Sequence, residues 1–164
     1  MRSLSRTLLI AYLIVLLWLV LFKFSNDIVS VLTNYQTRSL NVIPFADYSR
    51  VSPMELIYNC IVFIPFGLLL GVNFKRIAFF PKLTSVLILS LSAEIAQFVF
   101  AIGATDITDV IMNTFGGFIG LIAYIAANKY IDSKKLDLCI VVAGAMVLIL
   151  FVLLRTLVFK VRYQ

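Results

Sequence analysis

The sequence predicts an all-α fold, a bundle of about five transmembrane helices. Three observations predict it. The chain is 62% hydrophobic and only 13% charged, where a soluble domain carries roughly 45–50% apolar and about 25% charged residues. The apolar residues gather in blocks of about 16 to 21, each long enough to cross a hydrocarbon core of roughly 30 Å. The charges fall in short clusters beside those blocks, as topology signals and headgroup contacts do.

The first span is expected at about 7–24, "TLLIAYLIVLLWLVLF" and its flanks, behind Arg2 and Arg6. A basic start and an apolar run also describe a signal peptide. However, Lys23-Phe24-Ser25-Asn26 follows instead of a small-x-small cleavage site, so an uncleaved span is expected. Residues 25–56 form the one long polar connection, with Asp27, Arg38, Asp47, Arg50, Glu55 and the stretch "NVIPF". A loop this long in a compact unit is more often functional than idle, and this one is expected to lie on the outer side. The second span is expected at about 57–74 with a kink, because Pro65 removes a backbone donor in mid-span while Gly67 and Gly71 permit close approach. Spans three and four follow at about 83–102 and 107–127, joined only by "GATD", which predicts a tight antiparallel hairpin. A charged connector with Lys129, Lys134 and Lys135 leads to a fifth span at about 138–154. The whole of 1–164 reads as a single transmembrane domain.

Orientation follows from the basic residues. With the N-terminus cytoplasmic, the inner side carries Arg2, Arg6, Lys75, Arg76, Lys82, Lys129, Lys134 and Lys135, and the outer loops carry only Lys23, Arg38 and Arg50. The C-terminal tail, with Arg155, Lys160 and Arg162, runs against this rule. The polar ends of spans two, three and four then face the outer leaflet.

Composition excludes several function classes. The net charge of +6 lies in clusters beside apolar blocks, with no basic stripe and interleaved aromatics, so no nucleic-acid partner is expected. There is no histidine, which removes a Ser-His-Asp triad and the usual zinc sites. Cys60 and Cys139 lie inside apolar blocks without metal spacing and read as small hydrophobes.

What remains is a polar constellation in an apolar chain. At a step of about 100° per residue, Asp106, Asp109, Asn113, Gly116, Gly117 and Gly120 share one stripe of the fourth span, about 100° wide. The stripe is polar at its outer end and glycine further in, where the small-xxx-small spacing of Gly116 and Gly120 allows a second helix close. Ile111, Met112, Phe115, Ile119 and Ile122 are left to lipid. On the third span Glu94 and Gln97 share a face; on the second, Glu55 and Asn59 do. Glu94 is about nine residues from the turn, roughly 13 Å along the helix. A charged, unpaired carboxylate there costs several kcal/mol, so it must be protonated, paired, metal-bound or open to water. Structural readings stand beside functional ones. Asp106 suits an N-cap, with Asp109 completing a capping box, and Gln97 and Asn113 suit interhelical hydrogen bonding. Glu55, Asn59, Glu94, Gln97, Asp106, Asp109 and Asn113 are the candidate pocket.

The pieces "NVIPF" at 41–45, "NCIVFIPFG" at 59–67, "EIAQ" at 94–97 and "DITDVIMNTFGGFIG" at 106–120 resemble the VanZ-like family of small bacterial membrane proteins, in its order and spacing. On that resemblance Asn41, Pro44, Phe45, Pro65, Gly67, Gly116, Gly117 and Gly120 are structural motif positions. Many members carry a basic residue in the turn before the first aspartate; here that turn is Gly103-Ala104-Thr105, so an arginine contact does not carry over. The resemblance implies a role in the bacterial cell envelope and in resistance to the lipid-tailed glycopeptide teicoplanin. The expected partners are membrane lipid, and teicoplanin or a lipid-linked cell-wall precursor, with the drug or an envelope lipid bound through the outward-facing polar pocket. No cofactor is expected on this reading. The alternative is a membrane enzyme acting on a lipid-linked substrate, with Mg²⁺ held by Asp106, Asp109 and Glu94.

Overall fold

The computed structural model describes residues 2–22, 39–45, 53–102 and 104–162. Most of the predicted outer loop, including Asp27, Arg38, Asp47 and Arg50, lies outside them. Five helices are long and apolar enough to cross a membrane: α1 (Arg2–Phe22), α2 (Pro53–Asn73), α3 (Phe79–Phe100), α4 (Ile107–Tyr130) and α5 (Ser133–Arg162). Each takes in the polar or basic residues that flank its apolar block. Lys82 thus falls inside α3, and Lys129 in the last turn of α4. Lys129 is exposed there, as expected of a long cationic side chain whose head reaches the interface, whereas Lys82 is buried.

Two short strands, which the sequence reading did not anticipate, join the helices at one end. β1 (Ser39–Asn41) and β2 (Ala104–Asp106) pair in parallel, with Ser39 opposite Ala104, Leu40 opposite Thr105 and Asn41 opposite Asp106. The expected "GATD" turn is therefore partly a strand, and part of the long connection is folded onto it. The physical reason is backbone satisfaction: chain that leaves a helix beside other helices must find partners for its N–H and C=O groups.

The closest helix pair is α2 with α4, and glycine makes it possible. A methyl group built on Gly116 would overlap the backbone carbonyl of Cys60, and one on Gly120 the carbonyl of Ile64. Gly67 faces the carbonyl of Gly117 in the same way. The predicted seam is thus backbone against backbone, with α2 as the partner. Gly117 also receives the side chain of Val86 from α3, whose Cγ1 stands 2.6 Å from an added methyl. The opposite face of α4 exposes Ile111, Phe115 and Ile122, the side the helical stripe assigns to lipid.

One apolar cluster, Leu16, Phe63, Phe66, Leu70, Val86 and Leu121, fills the space among α1, α2, α3 and α4. A second, around Leu8, Leu69, Tyr124, Leu136 and Val141, brings in α5. That last helix is the most peripheral, with 11% of its span buried. It is held to α1 by Trp18 edge-on to Phe151, and by the Arg155 guanidinium 4.9 Å from the centre of the Trp18 ring.

Candidate functional site

The polar residues of α2, α3 and α4 collect at the strand-bearing end of the bundle. They do so because the connection after α3 folds back along that helix. Ala101 adopts a left-handed conformation (φ 52°), and the Ile102 N–H donates to the Gln97 carbonyl at 3.1 Å, closing the helix without a glycine. Thr105 Oγ1 then donates to the Glu94 backbone carbonyl at 3.2 Å, and the Asp106 N–H donates to Glu94 Oε2 at 2.9 Å. Glu94 is therefore level with the start of α4 and not a full nine residues below it. Its carboxylate is paired, and its first partner is backbone.

This bond revises the capping box. Asp106 is the N-cap of α4: its Oδ1 accepts from the Thr108 N–H at 2.7 Å. A capping box would need Asp109 to reach back to the Asp106 N–H. Glu94 accepts from that N–H, and Asp109 Oδ1 instead accepts from Asn59 Nδ2 of α2 at 2.6 Å.

The loop at 39–45 is seated on this turn. Asn41 Nδ2 donates to Asp106 Oδ2 at 3.1 Å, and the Phe45 N–H donates to Thr108 Oγ1 at 3.1 Å. Asn41 Oδ1 accepts from the Ile43 N–H at 3.2 Å, which curls the loop on itself. Phe45 sits at φ 58°, a conformation a bulky residue adopts only when its surroundings impose it. The same loop turns Leu40, Val42, Ile43 and Phe45 outward, Val42 and Ile43 being 65% and 64% exposed. It is an apolar blade on a polar seat.

Deeper, Asn113 Nδ2 donates to Ser90 Oγ at 2.9 Å, joining α4 to α3. Gln97 Nε2 donates to the Val20 carbonyl at 3.0 Å and the Leu21 carbonyl at 3.4 Å, so it meets acceptors that the last turn of α1 cannot satisfy internally. Both residues bind helices together, the structural reading weighed for them. Gln97 Oε1 and Asn113 Oδ1 nevertheless have no hydrogen-bond donor among the described residues, although both are fully buried.

The structure thus gathers Asn59, Glu94, Gln97, Asp106, Asp109 and Asn113 at one end, five of them buried and Asn59 half-buried. Glu55 lies in the first turn of α2, half-buried, four residues before Asn59. Pro44 is exposed in the blade, and Pro65 is inside α2. Sequence reasoning missed the contributions of Ser90, Thr105 and Thr108, and treated Asn41 as a motif position when it is part of the polar cluster. Among the described residues, no three Asp, Glu or Cys side chains come together as a group able to hold a metal ion.

The profile of the VanZ/LLP1 family matches residues 9–128. The chain belongs to this family. It is also 56% identical to Protein VanZ of Enterococcus faecium over 155 residues, covering 94% of each chain. No solved structure matches it. With five membrane-crossing helices, it is a VanZ-like multi-pass membrane protein. The family match contains the polar cluster, the blade and the glycine seam, and stops before α5.

Proposed function

We propose that this protein acts in the bacterial cell membrane to lower the action of teicoplanin, without catalysis, by engaging the lipid-bearing part of the drug or an envelope lipid. The observation that carries the reading is the seated blade. Four apolar side chains are held outward at the end of a lipid-embedded bundle by a loop bound to Asp106 and Thr108. A loop that only connected two helices would not need a bulky residue at positive φ. Placing the basic end in the cytoplasm by the positive-inside rule sets the blade at the outer face, where teicoplanin acts. A fixed apolar edge there meets an acyl chain at low entropic cost, because the loop is already ordered.

The test is expression in a teicoplanin-sensitive Gram-positive host. The inhibitory concentration of teicoplanin is expected to rise several-fold while that of vancomycin, which lacks the lipid tail, hardly moves. Equal shifts for both drugs overturn the lipid-tail reading, and no shift for teicoplanin overturns the function. Ile43→Asp is expected to abolish the protection at unchanged membrane abundance. Glu94→Gln, which keeps an acceptor for the Asp106 N–H, is expected to retain it.

A further inference from the structure

The opposite end of the bundle holds a recess of about 730 Å³ between α1, α2 and α5, unconnected with the blade and its cluster. Its rim carries Arg2, Arg6, Lys75, Arg76 and Lys134, against one carboxylate, Asp137. Its apolar lining includes Val72 and Val141, both buried and forming the floor, and the exposed Leu138. We propose that this recess binds an anionic glycerophospholipid, with the headgroup phosphate on the arginines and an acyl chain along the floor.

Three features separate the recess from an ordinary cluster of topology-setting charges. First, it is built. Ser5 Oγ donates to Asn73 Oδ1 at 3.0 Å, and Asn73 Nδ2 donates to the Ser5 carbonyl at 3.3 Å and the Leu69 carbonyl at 2.9 Å. These bonds fix α1 against α2 under the rim. Lys75 bonds Ser133 and Asp137, and Asp137 Oδ1 accepts from Tyr124 at 3.0 Å, fixing the start of α5. Second, its charge is unbalanced. Lys75 neutralises Asp137, which leaves Arg2, Arg6, Arg76 and Lys134 without an ion-pair partner among the described residues. A guanidinium matches a phosphate bidentately and stays charged at any physiological pH. Third, the recess combines a cationic rim with an apolar floor at the level of the helix ends, where headgroup and acyl chain meet. Its volume falls within the range of small-molecule sites. A soluble phosphate would use the rim alone and leave the floor unfilled.

The experiment uses the full chain purified in a neutral detergent, titrated with phosphatidylglycerol, phosphatidylcholine or inorganic phosphate, and read by native mass spectrometry and thermal unfolding. Phosphatidylglycerol is expected to remain bound and raise the Tm, while phosphatidylcholine does neither. Arg6→Gln with Arg76→Gln is expected to weaken the apparent affinity for phosphatidylglycerol by at least about tenfold, from the loss of two basic groups facing an anionic lipid. The double Arg→Lys variant, which keeps the charge but loses the bidentate fork, is expected to recover only part of it. Lys134→Gln serves as the second variant if the double substitution does not fold. Equal binding of both lipids, or unchanged affinity in the neutralised variants, overturns the proposal. Saturation of the Tm shift by inorganic phosphate alone would assign the rim to free phosphate and overturn the lipid. None of these outcomes depends on resistance.

Discussion

Replacing Gly116 by alanine is expected to separate α2 from α4 and destabilise the protein by more than about 2 kcal/mol. The added methyl falls on the Cys60 carbonyl, carbon and Cα. All three are backbone atoms, so no rotamer change relieves the overlap. Unstrained carbon–oxygen contacts between helices begin at about 3.3 Å, and restoring one requires the helices to part by roughly 1 Å or more. Gly120 over Ile64 and Gly67 over Gly117 share the seam, so the parting opens those contacts too. Overpacking a well-packed site costs about 1–3 kcal/mol, occasionally more, and a rigid backbone on the receiving side puts this case at the upper end. The intrinsic preference of a helix for alanine over glycine returns only about 1 kcal/mol. Gly144 on α5 supplies the control: an added methyl there meets only Leu8 Cδ2, at 3.2 Å, the far end of a flexible side chain. Gly144→Ala should therefore leave the Tm unchanged or raise it. The assay is thermal unfolding in detergent followed by circular dichroism, with both variants beside the wild type. A Gly116→Ala protein as stable as the wild type, or less harmed than Gly144→Ala, refutes the backbone-on-backbone account.

Three further outcomes follow from the same structure. Ala101→Gly should raise the Tm, by an amount equivalent to about 0.5–1 kcal/mol, because a left-handed residue closes α3 and glycine adopts that region without strain; an unchanged or lower Tm counts against it. Thr108→Val should release the blade by removing the acceptor of the Phe45 N–H, read as faster protease cleavage within 39–45 at little change in the Tm of the bundle. Burial alone would lower the Lys75 pKa, but hydrogen bonds and charge from Asp137 and Tyr124 outweigh it and hold the ammonium above its ordinary 10.5. A raised lysine pKa gives stability that is complete below the unfolded value and lost as pH rises through the folded one. The Tm difference between wild type and Lys75→Gln should therefore be flat from pH ~7 to ~9.5 and close only above about 10.5; closure near neutrality would show that the Asp137 pair is not the cause.

The five helices were legible because length, hydropathy and basic punctuation all point the same way. The face of α4 was legible because 3.6-residue periodicity puts Asp106, Asp109, Asn113 and the glycines in one stripe. The strands were not, since three-residue elements carry no periodicity, and their pairing joins positions 65 residues apart. Gln97 shows a different limit: its partners are carbonyls of Val20 and Leu21, and a backbone acceptor leaves no mark on residue type. Glu94 shows a third. Counting turns from the hairpin placed it too deep, because a connection that doubles back is indistinguishable in sequence from one that does not.

The doubling back also explains why an apolar chain keeps these acids. The Asp106 N–H precedes the helix and has no intrahelical partner, and near hydrocarbon such a group left unmet costs several kcal/mol. Glu94 meets it, the Asp106 side chain meets the Thr108 N–H, and the Thr108 hydroxyl meets the Phe45 N–H. Each polar side chain satisfies a backbone donor, in a chain of bonds that ends at the blade. The carboxylates need not touch a ligand to matter: they fix where the apolar edge stands. On this argument Glu94 tolerates an amide, which keeps an acceptor, and resists alanine, which does not. Asp109 holds a different bond, to Asn59 across the α2–α4 seam, so its loss should loosen the helices beneath the blade before it frees the blade itself.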